Sequence, residues 1–360
     1  MVGPGGRAGL DAALSTGAPG GGSARVPAAV AARAPVALAL SGLRALASGL
    51  LAWLLIQALL FALVQSAPGG PAAALAGDYA TRETQAAVTR SFALDRPVAV
   101  QFVSFVARMA QGDWGISYHF RRPVLGLIAE RLLPTLLLML GALSIAVVAG
   151  RALGLWAAAH ERGGAAVAAA TSAVYALPVF WVGQLLMLGG GLELRWFPVS
   201  GLSDPRQATG GVAAALDIAW HAVLPVATLA LQQTAFFLTV AHAKARLELG
   251  QGYVRAARAR GIPERTILWG HVARNVSPQL ATAALNRVGM LFTGAVLVET
   301  LFAWPGLGRL LSSAILNRDH PVLLGAFGLI VAVVIISSVA ADIVQTRLDP
   351  RIEPRHEPRP

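Results

Sequence analysis

The sequence predicts an all-α polytopic membrane protein with six transmembrane helices. Three observations carry that prediction. Only 13% of the 360 residues are charged and 56% are hydrophobic, with a mean hydropathy of +0.62, whereas soluble domains carry about 25% charged residues. Apolar runs of about 20 residues, enough to cross the hydrocarbon core, recur along the chain. Basic residues gather between those runs, where arginine and lysine set topology.

The first 40 residues are rich in Gly, Ala and Pro, with Arg7, Arg25 and Arg33 among them. They offer too little apolar surface to offset ordering entropy, so a disordered tail is expected over 1–40. The next apolar run lies too far in, and is too long, for a signal peptide. Within 41–65 the uncharged stretch "ALASGLLAWLLIQALLFALV", Ala45 to Val64, forms the first span. Residues 66–130 mix charges of both signs, and Val98–Met109 is periodic but too short to cross, so this is one extramembrane segment with short helices. Five further spans follow inside 131–342, at Leu132–Trp156, Ala165–Leu188, Ala222–Val240, Leu280–Phe302 and Pro321–Ala341, and residues 343–360 form a second tail.

Charge placement orients these spans. The first tail holds Arg7, Arg25, Arg33 and Arg44 against Asp11, and the last adds Arg347, Arg351, Arg355 and Arg359. The loop 241–278 holds Lys244, Arg246, Arg255, Arg258, Arg260, Arg265 and Arg274 against Glu248 and Glu264. Six spans put both termini and this loop on one side, which the excess of positive charge makes cytoplasmic. Seven arginines in 65–131 oppose the rule, but long segments obey it weakly. The net charge of +11 is thereby accounted for by topology, with no call for nucleic acid as a partner.

Several chemistries are excluded or unsupported. The chain has no cysteine, so disulfides, zinc-thiolate sites and thiol nucleophiles are absent. Its histidines are dispersed, without ligand spacing, and no metal site is expected. "GGPAAALAG" lacks the Gly-Lys-Ser/Thr ending of a phosphate loop, so the chain holds no cofactor and any ATP is bound elsewhere. An intramembrane enzyme, the alternative class, needs paired ionisable groups at membrane depth, and no such motif occurs.

The basic loop reads as helix, sharp turn, helix. "AHAKARLELGQGYVRAARAR" runs without proline and continues the fourth span as one helix. Gly261 stands where a left-handed residue closes it, Pro263 at the first position of the next helix, and Glu264 in that helix's first turn. Ala256, Ala257 and Ala259 leave a small-residue surface ringed by Arg255, Arg258 and Arg260, suited to docking into a groove. A solvated loop held inside by its arginines, or a lipid-headgroup contact, reads the same charges differently.

Other groups are candidates by position. Trp304, Pro305, Gly306 and Gly308 form a tight turn beyond the fifth span, with an interfacial tryptophan and glycines that permit close packing. Glu299 is an acid inside a span, and such acids are functional candidates; a salt bridge with Arg287 competes. Gln232 and Gln233, polar and inside a span, either bond neighbouring helices or face a pathway.

Here the residues carry a resemblance. "YVRAARARG" followed by "HVARNVSP" is similar to the cytoplasmic loop of permease subunits of binding-protein-dependent ABC importers. That family writes Glu-Ala-Ala, three residues, then Gly; here Arg255, Ala256 and Ala257 precede Arg258, Ala259, Arg260 and Gly261. A basic residue in place of the acid resembles the dipeptide, oligopeptide and nickel branch. "APGGP", "LDRPVAVQF", "GDWGISY", "RRPVLGLIAERLLPTLLL", "LPVFWVGQLL", "WFPVSG", "VETLFAWPGLGRLL", "AILNRDHPVLLG" and "LDPRI" follow in that branch's order across about residues 40 to 352.

The resemblance implies a type I ABC importer permease fold, with five core helices behind an extra first helix. It implies a bacterial inner-membrane subunit, paired with a second permease, usually as a heterodimer, two ATPases, and a periplasmic or lipid-anchored solute-binding protein. Tyr253–Gly261 would couple to the ATPases, the Trp304 turn would belong to the external gate, and the solute would be a peptide, nickel or a related compound.

Overall fold

The computed structural model describes residues 28–66, 96–204, 206 and 210–348. The chain divides into two units, Met1–Ala45 and Leu46–Pro360; all the packing described below belongs to the second. Among the described residues the regular structure is helical, save for one isolated bridge, Ile116 with Pro123. Helix α1 spans Ala28–Gln65, α2 Val98–Ala110, α3 Val124–Ala159, α4 Glu161–Ala176 and α5 Val179–Leu186, which continues as a π-helical stretch, Met187–Glu193. Then come α6 (Val212–Leu249), α7 (Gly252–Ala259), α8 (Glu264–Thr266) running through the π-helical Ile267–Val272 into α9 (Ala273–Asn286), α10 (Val288–Leu301), α11 (Leu307–Leu316) and α12 (His320–Leu348).

The tail expected over 1–40 is helical from Ala28 onward, because an alanine-rich run has high helix propensity. Residues 1–27, the motif at 67–71 and residues 349–360 lie outside the described residues, while the tail expected from 343 is helical as far as Leu348, as the end of α12. Four helices, Leu46–Gln65, Val124–Ala159, Val212–Leu249 and His320–Gln345, are long and apolar enough to cross a membrane. The other two expected spans are not straight. Ala165–Leu188 is broken at Leu177–Pro178, where the halves meet at 102°, and Leu280–Phe302 is bent by 54° at Arg287, giving six crossings if each pair counts once. Proline accounts for the first break, since it pushes the residue before it out of the helical region: Leu177 sits at φ −77°, ψ 140°. Large apolar side chains such as Leu50, Leu59 and Val148 are 60%, 66% and 70% exposed, as a lipid-facing surface requires.

The core is arranged along α3 and α6, which approach at backbone distance. A Cβ on Gly150 would lie 2.5 Å from the Phe237 Cβ, and one on Gly154 2.6 Å from the Ala241 Cβ. This pair, four residues apart, is a small-residue seam of the kind that lets membrane helices pack by van der Waals contact. At one end α3 and α6 meet α7 and α9 around Leu155, Ala245, Ala257, Ile267 and Val276. Towards the other end Leu138, Leu229, Phe292, Val298 and Trp304 form a second cluster, and Leu127, Leu307, Leu311 and Val322 a third. Helix α1 packs on α12, where Trp53 Nε1 donates to Gly328 O at 2.8 Å and Gln57 Nε2 to Leu324 O at 3.2 Å.

Candidate functional site

Helix α6 does not run on unbroken to the turn. It stops at Leu249, and Gly250 and Gly252 flank Gln251, which is extended at φ −74°, ψ 155°. Two glycines this close weaken a helix by about 1 kcal/mol each, enough to place the break here. The expectation of one continuous helix is corrected to two, with α7 as a separate short helix.

Helix α7 has two faces. Val254 and Ala257 are buried against Leu155 and Ala158 of α3, Ala245 of α6 and the Ile267–Val272 stretch. Tyr253, Arg255, Ala256, Arg258, Ala259, Arg260 and Gly261 are exposed. Ala257 is thus spent on the permanent interior, while Ala256 and Ala259 form the small outward surface. The turn is as the spacing predicts: Gly261 lies at φ +73°, and Ile262 N donates to Ala257 O at 3.2 Å. Pro263 stands one place earlier than expected, as the residue capping α8, at φ −58°, ψ 139°. Arg258 Nε donates to Glu264 Oε1 at 2.6 Å across the turn, which raises the Arg258 pKa further.

The group that ties α7 to the long helices is Glu248, which sequence reading treated only as charge balance. Lys244 pairs with it at 3.0 Å, Tyr253 Oη donates to it at 2.8 Å and Asn275 Nδ2 at 3.0 Å. Asn275 Nδ2 also donates to Tyr253 Oη at 3.1 Å. One carboxylate at the end of α6 therefore holds both α7 and α9. Burial, then the bond to Glu248, pushes the Tyr253 hydroxyl up to about 12, so it remains a donor throughout the physiological range. The available signal was the Lys244/Glu248 spacing of four, which puts both on one helix face.

At the opposite end of α3 the tight turn packs inward. Trp304 is fully buried, and its Nε1 donates to Pro134 O at 3.1 Å, so it is a core residue and not an interfacial one. Glu299 is also fully buried: Thr135 Oγ1 donates to Oε1 at 2.6 Å and Arg309 N to Oε2 at 3.0 Å. Leu307 N in turn donates to Thr135 Oγ1 at 2.7 Å. Glu299 is thereby the anchor of the turn that begins α11. Gly306 and Gly308 are required by it, since a Cβ on the first would stand 2.2 Å from the Glu299 carboxyl and on the second 2.5 Å from Val296 Cα. Arg131 Nη1 reaches the Pro305 carbonyl at 3.4 Å.

The competing Arg287–Glu299 salt bridge does not form. Arg287 instead lies with its Cζ 3.8 Å from the Phe236 ring centroid, and its Nη2 donates to Tyr175 Oη at 3.3 Å. Gln232 Nε2 donates to Leu177 O at 2.6 Å, satisfying a carbonyl at the α4–α5 break, while Gln233 is buried. The three candidate pathway residues thus do not form one cluster: Glu299 belongs to the turn and Gln232 to a helix break.

With two ends defined on a helical chain of four to six apolar spans, the comparisons decide the family. Residues 150–354 match the family described as binding-protein-dependent transport system inner membrane component, and residues 42–139 match its N-terminal companion. The chain belongs to that family. A probable peptide ABC transporter permease protein of Sinorhizobium fredii is 33% identical over 307 residues, 84% of this chain and 96% of the relative. A putative peptide permease protein of Brucella ovis is 33% identical, over 84% and 95%. The glutathione transport system permease protein of Salmonella typhi is 33% identical, again over 84% and 95%. The protein is a multi-pass inner-membrane permease of an ABC importer, a transporter component and not an enzyme. In this permease α7 presents an exposed basic surface at the end where α3, α6 and α9 converge, and the Trp304 turn is buried core at the other.

Proposed function

We propose that the permease forms one half of the pathway of an ATP-driven importer for di- or oligopeptides, nickel or a related solute, and that Tyr253–Gly261 takes up the motion of separate ATPases. The two-faced α7 carries this reading: its inner face is fixed to α3, α6 and α9 by Val254, Ala257 and the Glu248 hub, and its outer face presents Arg255, Ala256, Ala259 and Arg260. A push on that face moves three long helices together. The relatives named for peptide and glutathione transport support the solute class. A second permease, in a heterodimer, two ATPases that bind the ATP and an external solute-binding protein complete the assembly. Both termini and α7 lie in the cytoplasm, and the turn containing Trp304, Pro305, Gly306 and Gly308 lies outside, next to the binding protein.

Ala256→Trp tests this, because Ala256 is exposed and its replacement costs no internal contact. In proteoliposomes holding the whole importer, transport-coupled ATP hydrolysis should fall at least ten-fold while membrane insertion and thermal stability persist. Unchanged coupling would refute the docking role.

A further inference from the structure

Arg287 stands at the bend between α9 and α10, inside the apolar span Leu280–Phe302, about 10 Å of helix from Leu280 and about 22 Å from Phe302. A guanidinium at such depth does not face lipid; it faces protein or water. It is half-buried, and among the described residues no carboxylate pairs with it. Glu299, the acid carried by α10, is committed to Thr135 and Arg309. The Phe236 ring covers one face of the guanidinium and Tyr175 holds one terminal nitrogen, while Nε is buried without an acceptor. The cation is positioned without being neutralised.

The groups around it come from several interrupted elements. Tyr175 is 47% exposed and ends α4, beside the Leu177–Pro178 break that Gln232 supports from α6. Two broken spans and α6 thus converge on one cation, and interrupted helices at membrane depth are tolerated where they are buried in protein or line water.

We propose that Arg287 is a carboxylate-binding residue of the translocation pathway, oriented by Tyr175 and Phe236. A guanidinium matches a carboxylate with two parallel hydrogen bonds, and the ligand is the terminal carboxylate of a short peptide. Naming the ligand rests on the peptide reading above; a water-facing cation at this position does not.

The chain has no cysteine, so Met290→Cys introduces a single thiol, three residues beyond Arg287 on the same helix face at a position 54% exposed. In the assembled importer, a membrane-impermeant anionic thiosulfonate should label it about ten-fold faster, relative to a cationic one, than when Arg287→Gln is also present; Arg287→Lys should keep most of that preference. Failure of both reagents to react, or an unchanged ratio without Arg287, overturns the proposal. Uptake is then compared for tri-alanine with a free and with an amidated C-terminus. The free acid should be favoured about ten-fold, and Arg287→Gln should reduce it to the level of the amide. Equal loss of both forms would make Arg287 structural and overturn the proposal. Labelling that depends on Arg287, together with transport of neither peptide, would leave the pathway cation standing and remove the peptide reading alone.

Discussion

Glu299 and Trp304 show how single side chains fix the far end of the molecule. Glu299→Ala leaves the Arg309 amide without its acceptor and the Thr135 hydroxyl with only the longer bond to Arg131 O, and it empties a fully buried site, at a cost of about 2–4 kcal/mol in all. Trp304→Phe keeps most of the ring volume and loses the bond to Pro134 O and a small part of the packing, about 1–2 kcal/mol together. Thermal unfolding of the purified permease should therefore drop several degrees further for the first than for the second, and the reverse order would mean that Glu299 is not the anchor. Neither role was legible in the sequence. Thr135 and Glu299 are 164 positions apart, and hydropathy alone placed Trp304 at an interface because a tryptophan after a span usually sits there. Gly261 was legible, since a left-handed closing residue after an alanine-rich helix has few substitutes. Gly261→Val should keep the protein inserted, as nothing lies within 4 Å of an added Cβ, and should weaken coupled ATP hydrolysis by misdirecting α8.

Among the elements, the α3–α6 pair is the beam to which both ends are attached. Gly150 and Gly154 let the two backbones touch, so Gly154→Leu forces them apart: an added Cβ already lies 2.6 Å from Ala241 Cβ and 2.7 Å from Leu238 O. Overpacking of this kind costs about 1–3 kcal/mol or more. The expected result is loss of folded permease in a detergent thermal-stability assay, whereas Gly126→Leu, at an open position of the same helix, should be tolerated. Equal tolerance of both changes would contradict the close approach. The spans themselves were legible because about 20 apolar residues without charge have few other uses. The breaks were less so. Pro178 signals one, but the bend at Arg287 follows no proline or glycine at that position, and the pause at Gly250–Gln251 was signalled by two glycines whose effect the good helix formers on either side masked.

For the whole molecule, the account is that a force applied at α7 reaches the far end through rigid helices. Leu155 touches the α7 cluster and Thr135 the Trp304 turn, and the stretch of α3 between them is about 30 Å long. Glu248 adds the second attachment, through α6 and α9. The most direct test of the central claim uses the absence of cysteine: a single thiol at Ala256, carrying a short photo-activated cross-linker, in the assembled importer. The account predicts an adduct with the ATPase from Ala256→Cys, stronger or weaker as nucleotide is added, and none from Leu316→Cys at the opposite end, where the side chain is 84% exposed. An ATPase adduct from position 316, or none from position 256 while the ATPase stays bound and active, would contradict it.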